Sequence, residues 1–225
     1  MGVPGEATRA SYDRVAEAYT NQFFEELQDK PLDRALLGAF AEQVPEGLPV
    51  ADVGCGPGHV ARYLHGLGLH ALGVDLSPQM IELARKRTSD VPFQVGSMLA
   101  LDADDGAWGG ITALYSIIHL TADELPLAFA EFERVLAPGG RLLLSFHISP
   151  PPDMATDGGV VHLEELLGQP VSLDFHFLDP ADISRRLERA GLAVEVSVER
   201  LADLTEVKTR RAYLIARKPD ASDGS

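Results

Sequence analysis

The chain has 225 residues, with 19 Lys plus Arg against 34 Asp plus Glu, a formal charge of −15 and 45% hydrophobic residues. That charge repels a phosphate backbone and no basic stripe offsets it, so nucleic acid is not an expected partner. No apolar run approaches the roughly 18–20 residues of a membrane span, the first residues lack the apolar stretch of an export signal, and the single cysteine, Cys55, can close neither an internal disulfide nor a thiolate metal site. The expectation is therefore one cytoplasmic domain, without a membrane partner.

Residues 9–44 read as an N-terminal helical region with Tyr12, Val15, Tyr19, Phe23 and Phe24 at apolar positions, expected to pack on the open edge of the domain. From 49 to 148, short β-rich runs alternate with segments of helical period, the pattern of a parallel sheet covered by helices. Strands are expected at Pro49–Val53, His70–Asp75, Pro92–Val95, Ile111–Ile117 and Arg141–Ile148, most of them near-continuously apolar, as strands buried on both faces should be. Between them, Ser77 and Pro78 mark the start of a helix running to Arg87. A second helix is expected over Asp123–Leu136, stopped by the Pro-Gly turn at 137–140.

Residues 149–179, rich in Pro and Gly at their start, break this rhythm and read as an insertion or lid. Asp179 and Pro180 open a last helix, Gly191 ends it, and alternating runs at Ala193–Glu199 and Arg211–Arg217 read as an antiparallel pair closing the 180–218 segment. Residues 219–225 read as a disordered tail.

The stretch VADVGCGPGH at 50–59 places Gly54, Gly56 and Gly58 directly after the first strand. A strand running through such a loop into a helix brings backbone N–H groups close to a ligand, where a Cβ would be in the way. Twenty-one residues past Gly54, Asp75 ends the second strand, where a carboxylate can accept both hydroxyls of a ribose. The dinucleotide pattern Gly-x-Gly-x-x-Gly is not met, since position 59 is His, and no Gly-Lys-Ser/Thr of a Walker loop occurs. Asp52, two residues before the glycines, would repel a pyrophosphate and suit an ammonium.

Residues 50–64, GVDLSPQM at 73–80 and VLAPGGRLLL at 135–144 together resemble successive motifs of the class I S-adenosylmethionine-dependent methyltransferases, over about residues 11–218. The resemblance implies an α/β fold, Rossmann-like and doubly wound, with a seven-stranded sheet whose last strand is antiparallel. It also implies S-adenosyl-L-methionine across the carboxyl ends of the strands, with S-adenosyl-L-homocysteine as product.

Carried onto this chain, the resemblance puts Asp52, Gly54, Gly56 and Gly58 at the methionyl part, Asp75 at the ribose, and Leu76 and Met80 on the adenine. Ser97 stands where the family commonly has Asp on the adenine amine, so that contact falls to its hydroxyl or to the Met98 main chain. Cys55 goes with the same loop, its side chain read as a small group packed beneath the turn. Tyr12 and Tyr19 would close over the donor, and Tyr115, in YSIIHL at 115–120, would run beneath its methyl.

Methyl transfer is an in-line displacement in which alignment dominates, and a hydroxyl or protonated amine acceptor additionally needs a base. His119 is the first candidate, with His147 and His176 behind it. No tight cluster of metal ligands is apparent near the strand ends, so no metal is expected. The expected acceptor is a small molecule, since no basic groove and no Asn/Asp-Pro-Pro-aromatic motif follows the fourth strand. A silent donor-binding helper protein is the alternative. A short-chain nicotinamide reductase, which needs Lys four residues after Tyr, is disfavoured by Ala16, Phe23, Leu67, His119 and Arg217 at those positions.

Overall fold

The structure, a computed structural model, describes residues 5–152, 154, 156–203 and 206–220. In chain order, β1 (Val50–Val53), β2 (Ala71–Asp75), β3 (Phe93–Val95), β4 (Trp108–Leu114) and β5 (Leu136–His147) run parallel; β6 (Val160–Leu166) and β7 (Gln169–His176) pair only with each other; β8 (Ala193–Arg200) and β9 (Arg211–Arg217) complete the main sheet. Its order is β3-β2-β1-β4-β5-β9-β8, and β9 is antiparallel to both neighbours. The fold is thus the expected α/β, doubly wound arrangement with seven strands. Strand order reverses between β1 and β4, and in such sheets the crevice beyond the strand ends at that point receives the ligand.

Helices α1 (Glu6–Phe23), α2 (Pro31–Ala41), α3 (His59–Gly66), α4 (Pro78–Arg87), α5 (Leu125–Val135) and α6 (Pro180–Arg189) surround the sheet. Its two faces carry separate cores. Leu142 and Leu144 of β5 join Phe129 and Phe132 of α5 on one face, while Leu143 between them joins Leu37 and Phe40 of α2 on the other, as the period of two requires. None of the described helices is long and apolar enough to cross a membrane.

Four expectations are corrected. First, α1 does not lie at an open edge. Its Asp13 Oδ1 accepts from Ser77 Oγ at 2.6 Å and from the Gln79 N–H at 3.2 Å, which ties α1 to the start of α4 above the strand ends. Second, the segment 149–179, read as an insertion or lid with no strand expected in it, contains a β-hairpin. Ser172 N–H donates to Ser11 Oγ at 2.9 Å, and Val15 packs on Val171 and Leu173, so β7 lies along α1. Residues 153 and 155 of that segment, and 221–225 of the expected tail, lie outside the described residues.

Third, the fourth strand begins at Trp108 and ends at Leu114, not Ile111–Ile117, because Tyr115 turns to φ +53° and the chain enters a short 3₁₀ turn over Ile117–His119. Fourth, residues 137–140 form an irregularity inside β5, between the pairs Trp108–Leu136 and Gly110–Arg141, instead of a turn before it.

Candidate active site

The loop after β1 holds Gly54, Gly56 and Gly58 at φ +77°, +51° and +84°, a region that L side chains rarely enter. What crowds each glycine differs. A Cβ on Gly54 would lie 2.3 Å from Ser116 Cβ, and one on Gly58 would lie 2.6 Å from Phe93 Cζ; on Gly56 nothing would come nearer than Tyr19 Cε1 at 3.9 Å. Two of the three glycines therefore answer to close packing within the protein, and Gly56 is the one with open space above it. Cys55 is buried with Ala61, Ile81 and Phe93, and burial pushes its thiol well up, so it is a packed thiol beneath the turn.

Asp75, at the end of β2, accepts the Gly56 N–H on Oδ2 and the Ser77 N–H on Oδ1, both at 2.8 Å. These bonds aim the carboxylate and leave each oxygen a further acceptor direction. Asp52 accepts from Thr112 Oγ1 at 2.9 Å on Oδ1, while its Oδ2 is buried without a partner. Burial pushes this carboxyl up to about 6.

A cavity of about 340 Å³ opens over the strand ends, toward the small end of ligand pockets. Its floor includes Gly54, Gly56, Asp75, Leu76 and Met80, with Ser97 and Met98 at one end and Tyr115 at the other. The Ser97 hydroxyl accepts from the Leu99 N–H at 3.2 Å. Tyr19, Gly54, Gly56 and Tyr115 also border a recess of about 50 Å³ that contains Asp52, Cys55 and Lys30. There Lys30 Nζ lies 2.6 Å from Glu26 and 5.7 Å from the centre of the Tyr115 ring.

Above the floor, Tyr12 Oη and His119 Nε2 are 2.8 Å apart, and His119 Nδ1 lies 3.0 Å from the Asp174 carbonyl oxygen. A carbonyl can only accept, so Nδ1 carries the proton and the Nε2 lone pair accepts from the Tyr12 hydroxyl. Burial pulls His119 down to about 4, which keeps the ring neutral near pH 7, and pushes the Tyr12 phenol well up, which keeps it a donor.

The three candidate histidines are separated by this geometry. His119 and His176 line the cavity. His147 does not: it sits against Tyr115 at 5.0 Å between ring centres, and its Nδ1 lies 2.8 Å from Thr209 Oγ1. Burial, with Arg211 nearby, takes it down to about 3, which marks a neutral ring packed behind Tyr115. Gly58 likewise lies outside the cavity lining, under Phe93. Four participants escaped sequence reasoning. Lys30 has no motif around it, Glu26 and His59 meet at 3.1 Å only through the fold, and Asp174 contributes a backbone carbonyl, which no side-chain pattern announces.

Residues 50–140 match a family model described as a methyltransferase domain. With the strand order and the glycine loop, residues 50–140 are thus similar to the methyltransferase domain of the class I S-adenosylmethionine-dependent enzymes. It is 28% identical over 158 residues to a ubiquinone biosynthesis O-methyltransferase of Xanthomonas axonopodis pv. citri (strain 306), covering 67% of this chain and 65% of that one. It is 34% identical over 143 residues to "Probable tRNA methyltransferase 9B" of Mus musculus, covering 62% of this chain and 30% of the relative. The matches thus span less than two thirds of these relatives' own length. A Methanosarcina mazei SAM-dependent methyltransferase structure superposes with a TM-score of 0.70 at 18% identity, over 80% of this chain and 96% of that one, which is a likeness of fold.

Proposed function

We propose that this protein transfers a methyl group from S-adenosylmethionine to a small-molecule acceptor. The observation that carries the reading is the opposition, across one cavity, of the Gly56–Asp75 floor and the Tyr12–His119 pair. The residues fit the donor. Asp75 is aimed by two backbone N–H groups and suits the ribose hydroxyls. Leu76 and Met80 offer apolar contact to a base, and the buried, unpartnered Asp52 Oδ2 and the Lys30 ammonium sit in a recess suited to a zwitterionic amino-acid end.

Bound there, the donor would supply an activated methyl group on a positively charged sulfur. His119 Nε2 is the point at which an acceptor X–H group would dock, displacing the Tyr12 hydroxyl. A neutral ring in this position also avoids placing a second positive charge beside the sulfonium. Tyr12 and β7 cover part of the cavity. A cavity of this size and a net charge of −15 favour a small acceptor over a polyanion such as the tRNA in one relative's name.

The reading is tested by calorimetric titration with S-adenosylmethionine and S-adenosylhomocysteine. Both should bind, and Asp75→Ala should weaken binding at least tenfold, about 1.4 kcal/mol. Binding of neither, in a folded protein, would overturn it.

A further inference from the structure

We infer that the acceptor is a small amine that reaches the site as a cation and is methylated on nitrogen; this rests on the methyltransferase reading above. The elements that cover the cavity bring three carboxylates to its lining: Glu6 from the first turn of α1, Glu124 from the residue before α5, and Asp174 from β7. Asp75 adds a fourth from the floor, and among the described lining residues there is no lysine or arginine.

Nor do the cover carboxylates meet a lysine or arginine among the described residues. Glu124 Oε2 accepts from the Thr121 N–H at 2.9 Å and from Thr121 Oγ1 at 3.0 Å, and Asp174 Oδ1 lies 2.7 Å from His162 Nδ1. None of the three forms an ion pair with a lysine or arginine among the described residues. The Lys30 ammonium bordering the donor site, with His59 near it, belongs to the small recess beyond Gly54 and Tyr115, and both side chains are engaged by Glu26.

A carboxylate or phosphate acceptor would approach through this field against like charge, with no lysine or arginine among the described lining residues to offset it. An ammonium is drawn in, because a cleft walled by low-dielectric protein concentrates the field of the groups at its mouth. Deeper in, the surroundings change from carboxylates to aromatic and neutral groups, with Tyr12 5.9 Å from Tyr19 and 5.3 Å from His119 between ring centres.

The acceptor sheds one proton to water on entering. It then docks its remaining N–H on His119 Nε2 in place of the Tyr12 hydroxyl. Its nitrogen lone pair forms the N–C bond as the C–S bond breaks, and that electron pair stays with sulfur. The donor loses its positive charge, and the methylated nitrogen becomes a cation that the same carboxylates release to solvent.

The test offers methyl-tritiated S-adenosylmethionine and the full chain to a metabolite extract sorted by ion exchange into cationic, neutral and anionic pools. Glu6→Gln and Asp174→Asn serve as charge-removal variants, the latter keeping the backbone carbonyl that holds His119. The expected result is label entering the cationic pool. Half-saturation should then need several-fold more of that pool in the double variant, and several-fold more for the wild type in about 0.5 M salt. Label entering the anionic or neutral pool instead would overturn the inference, as would labelling of the cationic pool that is indifferent to both charge removal and salt. Absence of label from every pool, with donor binding intact by calorimetry, would overturn it too and leave the donor site standing. Absence of donor binding itself would overturn the methyltransferase reading, and the inference with it.

Discussion

The floor and the cover of the cavity are built by different means. The floor comes from two adjacent strands, and its key contact, Gly56 N–H to Asp75 Oδ2, joins positions 19 apart through a backbone donor. The cover comes from α1, the turn after β4 and β7, and its key contact joins Tyr12 to His119 across 107 positions through two side chains. A site assembled this way separates its tasks. On the proposed function, the floor would hold the donor, on elements locked into the sheet, while the cover would select the acceptor, on elements tied down by a few hydrogen bonds such as Ser11 to Ser172.

If that division is right, damage to the two regions should have different signatures. The largest effect is expected in the floor. Gly54→Ala forces a Cβ to within 2.3 Å of Ser116 Cβ at a φ of +77°, so overpacking and backbone strain together should cost about 2–5 kcal/mol, read as a lower midpoint of denaturant unfolding. Gly56→Ala, with open space above it, should cost only the backbone part, and an equal loss would contradict the assignment of Gly54 to packing.

Next in size is His119→Ala, which should lower kcat/KM about 10²-fold by removing the group that orients the acceptor, while donor affinity stays within about twofold of wild type. A matching loss of donor affinity would merge floor and cover into one unit. The smallest effect belongs to Tyr12→Phe. The Tyr12 hydroxyl donates to Nε2 and so favours neutral His119; removing it should raise the pKa of His119 from about 4. A hydrogen bond is worth about 0.5–1.5 kcal/mol net, so the acid limb of the activity profile should move up by roughly 0.4–1 pH unit, with less change on the plateau above pH 7. No movement, or movement to lower pH, would show that Tyr12 does not donate to this ring.

The same contrast explains what could be read from the sequence. The floor was legible because its parts are close along the chain and their chemistry is carried by residue type. Asp75 follows the glycine loop at a spacing that βαβ geometry imposes, and Ser77 with Pro78 marked the start of α4 to within a residue. The glycines were legible as a tight loop but not in their individual reasons, since Ser116 and Phe93, which crowd Gly54 and Gly58, arrive from the turn after β4 and from β3.

The cover was legible only in part. His119 stood out as a residue type at the end of a strand, but the atom that sets its tautomer is a main-chain oxygen 55 positions away. The hairpin β6–β7 went unseen because its two-residue turn is Leu167–Gly168, both at positive φ, where Asn-Gly or Asp-Gly would have signalled it. His147 carried the same signal as His119 and only the fold separates them, one ring facing the cavity and the other packed behind Tyr115.

The most direct measurement is a crystal structure of the chain with S-adenosylhomocysteine, because the position of the sulfur decides whether floor and cover face each other across the reacting atoms. The account predicts ribose hydroxyls on Asp75, the amino-acid end in the recess with Asp52 and Lys30, and the sulfur directed at the Tyr12–His119 pair. A sulfur turned away from that pair, or a ribose that does not reach Asp75, would contradict it.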